Sequence, residues 1–458
     1  MSGKITASGE ISGSINFAMQ QNYVPLIRNL LVNNNSDEIQ NNIKLKITFE
    51  PDFAKQFVYD IGSIEPNCSV EISPVNIILS TEFLFSLSEK MVGTILIELL
   101  QNEETIFSYS DTVELLAYNQ WSGLLIMPEI ITAFVTPNHP LISEVLSRAS
   151  AFLREWNKLP SFTGYQTNNP NNVKIQMAAI FAALRSWKII YNNPPASYEA
   201  IGQRVRLPHK VLKEKQGTCL DLSVLYAACL EAAGLFPLLV FIKGHAFCGC
   251  WLEQQTFSDC AVDDVSAIEK RIVAGNEEIL LVECTNFTCG NNVDFERAIK
   301  HGNDHLSNPT DFLYVVDVQR SRGSGIRPIP VKINQSFSGY ASSDESASSN
   351  DNISEPKELN ISDVGKIEYS DSNLSRVQIW ERKLLDFSLR NTLLNFRATK
   401  NTLQLMTSAL AELEDKLSDN VDFRIMEVLC KRKNNASEYD RRCNFRHTLR
   451  NLRTEPSE

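Results

Sequence analysis

The sequence predicts a multidomain protein of mixed class. An N-terminal β-sandwich is followed by a central α/β (α+β) domain, a flexible linker and a C-terminal helical segment. Short apolar runs separated by turn residues fill the first part, and longer runs with helical spacing follow. A polar stretch poor in large apolar residues then precedes a final amphipathic segment. A length of 458 residues suits about three folded domains.

Residues 1–125 are predicted to form an antiparallel sandwich of immunoglobulin-like type that serves as an interaction domain. Its predicted strands are 23–32, 43–49, 69–72, 75–79, 83–87, 92–100 and 105–116. Clusters of turn-forming residues, such as the Asn-rich run at 33–35, separate them. No arrangement of residues that suggests catalysis occurs here.

Residues 126–335 change to an α/β pattern. Helices are predicted at 140–156 and 173–191, where apolar residues recur three and four positions apart, and a further helix begins near Cys219. The predicted strands are 238–242, 246–252, 279–284 and 312–318, with an acidic insertion at 253–278. The chemistry-bearing residues concentrate in this domain.

Residues 336–375 are predicted to be a disordered linker, because they cannot bury enough apolar surface to offset their ordering entropy. Residues 376–458 begin with two predicted helices, at 377–396 and 403–417. The segment 431–453 is basic and is a weak candidate for nucleic-acid contact, although a solvated tail is the simpler interpretation. The net charge of −11 excludes a generic nucleic-acid coating protein.

Compartment follows from what the sequence lacks. No apolar run approaches the roughly 20 residues of a membrane helix, and the N-terminus has no apolar signal core. We therefore expect a cytoplasmic protein without membrane contact. Its ten cysteines should then be mostly reduced thiols, so the clustering of seven of them at 219–289 needs another explanation than disulfides.

Cys219 is the candidate nucleophile. Thr218 is a good helix N-cap, and Asp221 three residues later completes a variant of the capping box, so Cys219 falls in the first helical turn. Unpaired N–H groups and the positive end of the helix dipole stabilise a thiolate there. An inert buried thiol is the alternative for any single cysteine.

A nucleophilic thiol also needs a base and a group that orients the base. His245, at the start of a predicted strand, is the candidate base. Glu283 lies inside the apolar run of the next strand, where a carboxylate is costly unless it is paired, and His245 would pair with it. Asp259, Asp263 and Asp264 are rivals for the third position, but they belong to the acidic insertion.

Gln216, Thr218 and Thr285 are placed at the oxyanion or cleft positions, with the backbone N–H of Cys219 as an equal candidate for the oxyanion. No cofactor and no metal site are predicted. The Cys248-x-Cys250 spacing is short for zinc and has no second pair, which favours core thiols. A pair four residues apart, His301 and His305, has no evident third ligand.

The pattern resembles the transglutaminase-like branch of the papain superfamily. It consists of Cys at a helix start, then Gly244-His245-Ala246-Phe247, then Val282-Glu283-Cys284-Thr285. That branch usually carries Asp where this chain has Glu283. The resemblance implies a papain-type fold for residues 126–335.

A second resemblance covers most of 128–330 and continues past the linker. It is carried by Pro137-Asn138-His139-Pro140, by Gly202-Gln203-Arg204-Val205-Arg206-Leu207-Pro208 and by residues 380–391. These segments resemble an uncharacterised bacterial family that forms the N-terminal part of very large superfamily-one helicases. The chain contains no phosphate-binding loop of the Gly-x-x-x-x-Gly-Lys-Ser/Thr type, so it should have no helicase or ATPase activity. We expect a truncated or separately encoded front end whose residues 377–458 dock on a helicase partner.

These observations leave two functions open. The first is a thiol hydrolase or acyltransferase, peptidase-like, that acts on a protein or peptide through Cys219, His245 and Glu283. The alternative is a catalytically inactive transglutaminase-like module that binds proteins within a DNA helicase or anti-phage assembly. Whether the chain is an enzyme depends on the reactivity of Cys219.

Overall fold

The computed structural model describes residues 4–193, 202–273, 275, 277–291, 293–330 and 355–359. All of them belong to one unit of the chain, Met1–Asn395. The fold is mixed α/β with several sheets. Most of the predicted linker 336–375, the predicted helices 377–396 and 403–417 and the basic segment 431–453 lie outside the described residues.

The N-terminal part is built mainly of strands. These are β1 (Ile5–Ile11), β2 (Ser14–Ile15), β3 (Ile27–Asn34), β4 (Gln40–Glu50), β5 (Phe57–Ile64), β6 (Ser69–Ile72), β7 (Met91–Gln101), β8 (Glu104–Leu115) and β9 (Gln120–Trp121), with short helices α1 (Phe17–Gln21) and α2 (Thr81–Ser86). One sheet has the order β1–β3–β6 and the other β2–β8–β7–β4–β5. Strand β1 contacts β7 and β8, so the two sheets pack against each other.

The long strands of this part alternate between buried and more exposed residues. Along β4, every second residue from Ile43 to Phe49 is buried, and the residues between them are more exposed. The register with β7 places Leu45 opposite Leu99 and Ile47 opposite Ile97, so the buried rows of the two strands lie side by side. Such rows form one face of a core. The immunoglobulin-like type of this part stays a prediction.

The strand prediction differs from the structure in several places. The predicted strand 83–87 is wrong, because helix α2 spans this stretch and the Ser80 hydroxyl accepts a hydrogen bond from the Phe83 N–H at 3.3 Å. The predicted strand 75–79 contributes an isolated bridge between Ala54 and Leu79. Strands β1, β2, β5 and β9 are absent from the prediction. The residues of β5 are largely exposed and show no apolar alternation.

The second part combines helices with a larger sheet. The helices are α3 (Pro140–Glu155), α4 (Pro170–Ser186), α5 (Pro208–Glu214), α6 (Cys219–Ala232), α7 (Ser266–Glu269), α8 (Phe295–Asp304) and α9 (Val318–Gly323). The strands are β10 (Ile190–Tyr191), β11 (Gln203–Arg204), β12 (Gln216–Gly217), β13 (Pro237–Ile242), β14 (His245–Trp251), β15 (Ala261–Val262), β16 (Ile279–Val282) and β17 (Phe312–Asp317). Short 3-10 helices span Pro128–Phe134, Cys284–Phe287 and Pro309–Asp311.

An antiparallel sheet of order β15–β17–β13–β14–β16 forms the centre of this part. Helix α6 packs against β13 and β14, and α3, α4 and α5 surround it. Because α6 is covered on all sides, it is apolar around most of its circumference. All six residues of β13 are buried, which explains why that strand shows no alternation.

The two parts share buried contacts. One cluster of buried apolar side chains runs through both, and β9 pairs with β11 across them. The segment 355–359 also lies against the second part, where the Lys357 N–H donates to Glu296 Oε1 at 2.9 Å and the Leu359 N–H donates to Asn171 Oδ1 at 2.8 Å. Within the described ranges, none of the helices combines the length and apolarity that a membrane span requires.

Candidate active site

Cys219 is the first residue of helix α6, and a complete capping box holds that end of the helix. The Asp221 N–H donates to Thr218 Oγ1 at 3.3 Å, and the Thr218 N–H donates to Asp221 Oδ2 at 3.0 Å. This confirms the capping box that the sequence predicts. The thiol therefore lies where unpaired backbone N–H groups accumulate, although Cys219 is only 7% exposed.

The Asp221 carboxylate is fully occupied in holding this local structure. Its Oδ1 accepts from the Arg206 N–H at 2.7 Å, and the Arg206 guanidinium lies 3.6 Å from Oδ2. Burial raises the pKa of Asp221 above its ordinary value, against the opposing effect of these donors. Asp221 is thus a structural carboxylate, even though it lies two residues from Cys219.

His245 and Glu283 meet because of the strand register. Strands β14 and β16 pair antiparallel with Cys248 opposite Val282, so Glu283, just beyond β16, is the diagonal neighbour of His245 at the start of β14. The His245 Nε2 atom lies 2.7 Å from Glu283 Oε2. The side chains of His245 and Glu283 are 19% and 5% exposed.

The Cys219 thiol also acts on the imidazole of His245. Burial alone would lower the pKa of His245, but hydrogen bonds with Cys219 and Glu283 and the charges of both raise it to about 10. Since Nε2 contacts the carboxylate, Nδ1 is the ring nitrogen that remains available to a second partner. Both Cys219 and Glu283 thus act on His245.

A serine hydroxyl connects the two elements that carry this pair. Ser223 Oγ lies 2.7 Å from the carbonyl oxygen of Cys219 and 3.1 Å from that of Ala246. It therefore links the first turn of α6 to the start of β14, and it is fully buried. In the sequence, the only signal of Ser223 is its place one helical turn after Cys219.

Glu283 receives more donors than a two-residue pairing requires. Its Oε1 accepts from the Thr285 N–H at 2.8 Å, and its Oε2 lies 2.6 Å from His305 Nε2 as well as 2.7 Å from His245 Nε2. Burial alone would raise the pKa of Glu283, but the hydrogen bonds with the two histidines and Thr285 hold it well below its ordinary value. Glu283 is therefore an ionised carboxylate inside an apolar region.

His301 and His305, the two histidines four residues apart, have different partners. His305 follows α8 and contacts Glu283, whereas His301 Nδ1 lies 2.8 Å from the side-chain nitrogen of Asn286. The ligand atoms of His245, Glu283 and His305 lie within 4.8 Å of one another, so these three residues could hold a metal ion. Sequence spacing alone could not reveal this set, because its members come from three separate elements.

Tyr191 is a further neighbour that sequence reasoning missed. Strand β10 pairs with β12 in parallel, with Tyr191 opposite Gly217, which places Tyr191 near Cys219, and its hydroxyl donates to Asn193 Oδ1 at 3.2 Å. Burial, the charges of Cys219 and Glu283, and a hydrogen bond with Cys219 raise the pKa of Tyr191 to about 12. Only its place at the end of an apolar run marked it in the sequence.

The three residues placed at the oxyanion or cleft positions have different surroundings. The Thr218 hydroxyl caps α6, and the Thr285 N–H is bound to Glu283, so both groups already have partners inside the protein. Gln216 Oε1 accepts from the Asn192 side chain at 3.1 Å, which directs the donor end of its amide away from Asn192. Gln216 and the buried Gly217 form strand β12, which leads through Thr218 into Cys219.

The clustered cysteines are mainly core residues. Cys229, Cys248, Cys250 and Cys284 are fully buried free thiols. Burial raises the pKa of Cys229, Cys248 and Cys250, to about 12 for Cys250. The rival acids of the insertion lie away from this core, since Asp263 and Asp264 are exposed and Asp264 accepts from Ser266.

Comparisons with known proteins give limited matches. The family model described as "Protein of unknown function (DUF4011)" matches residues 383–457, which lie outside the described part of the chain. No curated protein matches the sequence. A crystal structure from Parabacteroides distasonis ATCC 8503, described as a "putative protease", is 14% identical, with a TM-score of 0.15. That alignment covers 48% of this chain and 40% of the other, so it spans less than half of the Parabacteroides protein.

Proposed function

We propose that the chain is a thiol hydrolase or acyltransferase in which Cys219 is the nucleophile, His245 the base and Glu283 the orienting acid. The observation that carries the proposal is the position of one imidazole. His245 bonds to Glu283 through Nε2 at 2.7 Å, and Cys219 also acts on this imidazole. This order of thiol, imidazole and carboxylate is the arrangement that nucleophilic catalysis by cysteine requires.

The reaction proceeds through an acyl-enzyme. The Cys219 thiol gives its proton to His245, and its sulfur attacks the carbonyl carbon of an amide or ester. The tetrahedral intermediate collapses as His245 returns the proton to the leaving amine or alcohol. Water, or an amine acceptor, then attacks the thioester with the same imidazole as base. This step releases the acid or the transferred acyl product and restores the thiol.

Glu283 and the start of α6 stabilise the charges that form. An ionised Glu283 keeps the Nε2–H tautomer of His245 and favours its imidazolium form. The Cys219 N–H and the donor end of Gln216 are the oxyanion donors we propose, since Thr218 and Thr285 are engaged elsewhere. Thr218 and Thr285 instead support α6 and Glu283. Peptides are the substrate class implied by the transglutaminase-like resemblance.

Burial of the sulfur favours the second candidate, a catalytically inactive protein-binding module. With 7% exposure, Cys219 offers little surface to a substrate. In this reading the site is a remnant, and the protein works through its docking on a helicase partner by residues 377–458. Contact of the basic segment 431–453 with nucleic acid belongs to the same reading. The two candidates differ in one measurable property, the reactivity of the thiol.

Alkylation of the native chain by iodoacetamide separates them. We expect Cys219 to react faster near neutral pH than the exposed Cys68 and Cys289, as read by mass spectrometry of tryptic peptides. In His245→Asn the rate at Cys219 should fall at least about tenfold, while Cys68 and Cys289 react unchanged. Equal labelling of all three thiols in the wild type, or none at Cys219, would support the inactive module.

A further inference from the structure

We propose that His245, Glu283 and His305 form a binding site for a divalent cation, with Zn²⁺ as the best fit, and that the bound cation switches off the thiol chemistry. The metal site stands on its own geometry. Its effect on reactivity rests on the proposed function.

The donor set suits zinc. Two imidazole nitrogens and one carboxylate oxygen are ligands that catalytic zinc sites use, with a fourth position left for water. Here His245 Nε2 and His305 Nε2 lie 2.7 and 2.6 Å from the same Glu283 Oε2, and all three atoms fall within 4.8 Å of one another. Zinc bonds of about 2.0–2.2 Å would need only a small separation of these atoms.

The surroundings hold the ligands in place and leave one side open. Glu283 Oε1 is fixed by the Thr285 N–H, so Oε2 stays directed at the two rings. Helix α8, which leads to His305, packs on β16, which leads to Glu283. The side chains of His305 and His245 are 32% and 19% exposed, against 5% for Glu283. A cation can therefore arrive from solvent past His305.

Occupation would remove the base. A neutral imidazole carries one ring proton, so a ring that binds metal through Nε2 carries that proton on Nδ1. The Nδ1 atom of His245 is the position left for the Cys219 thiol, and in this tautomer it can no longer accept the thiol proton. The same cation takes the negative charge of Glu283 that favours the imidazolium form. Zinc should thus slow the thiol without binding it.

The site is tested by titrating the full chain with ZnCl₂ by calorimetry. We expect one saturable site whose affinity falls at least about 100-fold in His305→Asn, since loss of a mere second-sphere partner already costs about 10–100-fold. His301→Asn is the matched control, because His301 is four residues away and contacts Asn286 instead. It should bind like the wild type, and Cys219→Ser should keep the site as well.

Cobalt provides a measurement that needs no variant. The Co²⁺-loaded wild type should show the visible bands of a tetrahedral site without a thiolate charge-transfer band, because the ligands are nitrogen and oxygen. Absence of saturable zinc binding, equal binding in His305→Asn, loss of binding in Cys219→Ser, or a thiolate band would each overturn the proposal.

The effect on reactivity is read by alkylation of Cys219. Zinc should slow labelling at least about tenfold in the wild type and in His301→Asn, with recovery on addition of EDTA, and should leave His305→Asn unaffected. Unchanged labelling of zinc-loaded wild type would refute the switch. If Cys219 proves unreactive without metal, the hydrolase proposal fails, while the calorimetric titration still decides whether the metal site exists.

Discussion

The two parts of the molecule differ in what they bury. Buried polar side chains of the N-terminal sheets are neutral, such as Asn16 and Asn34, whereas every buried ionisable side chain among the described residues lies in the α/β part. Asn34 donates to three backbone carbonyls and so closes loops. A neutral amide can do this at a low desolvation cost, whereas a charge needs a built environment. The comparison is consistent with our proposal that the α/β part carries the chemistry.

Within the α/β part, two buried carboxylates, Asp221 and Glu283, differ in the groups that bind them. Asp221 is held mainly by backbone N–H groups, and its pKa is raised, chiefly by burial. Glu283 is held by two partly exposed imidazoles, and its pKa is lowered. The first pattern is typical of a structural cap and the second of a group that stabilises positive charge beside a nucleophile. Burial of charge alone therefore does not identify a site, whereas the nature of its partners does.

The largest effect should follow removal of the thiol. Cys219→Ser is expected to lower hydrolysis of an activated ester or a peptide substrate by at least about 10³-fold, because loss of the nucleophile removes the covalent route. The rate of ester hydrolysis under excess substrate measures it. Cys289→Ser, which changes an exposed thiol, should keep full activity. Equal rates of ester hydrolysis in Cys219→Ser and Cys289→Ser would show that Cys219 is not the nucleophile. The α/β part would then have no proposed chemistry to set it apart from the N-terminal sheets.

The next effect separates the two carboxylates. Glu283→Gln should reduce hydrolysis by about 10²–10⁴-fold, since a neutral amide neither fixes the tautomer of His245 nor stabilises its positive charge. Asp221→Asn should instead lower the free energy of unfolding by about 1–3 kcal/mol, because it weakens the cap of α6 and the contact with Arg206. Urea unfolding and ester hydrolysis of both variants test this. A larger loss of activity in Asp221→Asn than in Glu283→Gln would contradict the assignment.

A smaller effect is expected in the N-terminal sheets. Asn34→Ala should lower the free energy of unfolding by about 2–3 kcal/mol, because three carbonyls that now accept from its side chain lose their donor. Alkylation of Cys219 should not change. The neighbouring Asn35→Ala removes one exposed contact, with Thr6, and should change stability by less than about 0.5 kcal/mol. A slower Cys219 in Asn34→Ala would show that the two parts are coupled.

Features that depend on residues close in sequence can be predicted from the sequence, and features that depend on tertiary packing cannot. The start of α6 is predictable, because Thr218 and Asp221 bind each other across only three positions. The meeting of His245 with Glu283 followed from the cost of burying a carboxylate. His305, Tyr191 and Ser223 could not be predicted as neighbours of the site, because their positions depend on how α8, β10 and α6 pack. The sequence predicts a strand where helix α2 forms, because the helix has only six residues and its apolar residues are consecutive. So short a run cannot show a helical period.

A second pair of histidines contrasts with the site. The rings of His139 and His209 stack with centroids 4.6 Å apart, and His139 Nδ1 accepts from the Leu141 N–H at the start of α3. Within the described residues, His209 Nδ1 is buried without a hydrogen-bond partner. Burial, then the charges of His139, Lys210 and Lys213, lowers the pKa of His209 to about 4. No carboxylate of the described residues is among the groups that act on His209, so the fold favours the neutral ring.

This pair should make the fold sensitive to acid. In the unfolded chain His209 takes up its proton near pH 6.5, whereas the folded protein resists protonation until about pH 4. The contribution of His209 to stability is thus fully present above about pH 6.5 and declines as the pH falls toward about 4.

The variant His209→Phe keeps the stacked ring but cannot take up the proton, so its urea midpoint should fall less than that of the wild type over this range. Comparison with the variant cancels the contributions of other groups, such as Asp317, whose pKa burial raises to about 6. If the urea midpoints of the wild type and His209→Phe changed with pH in parallel, His209 would have the same pKa in the folded and unfolded states. The two histidine sites would then differ only in their hydrogen bonds.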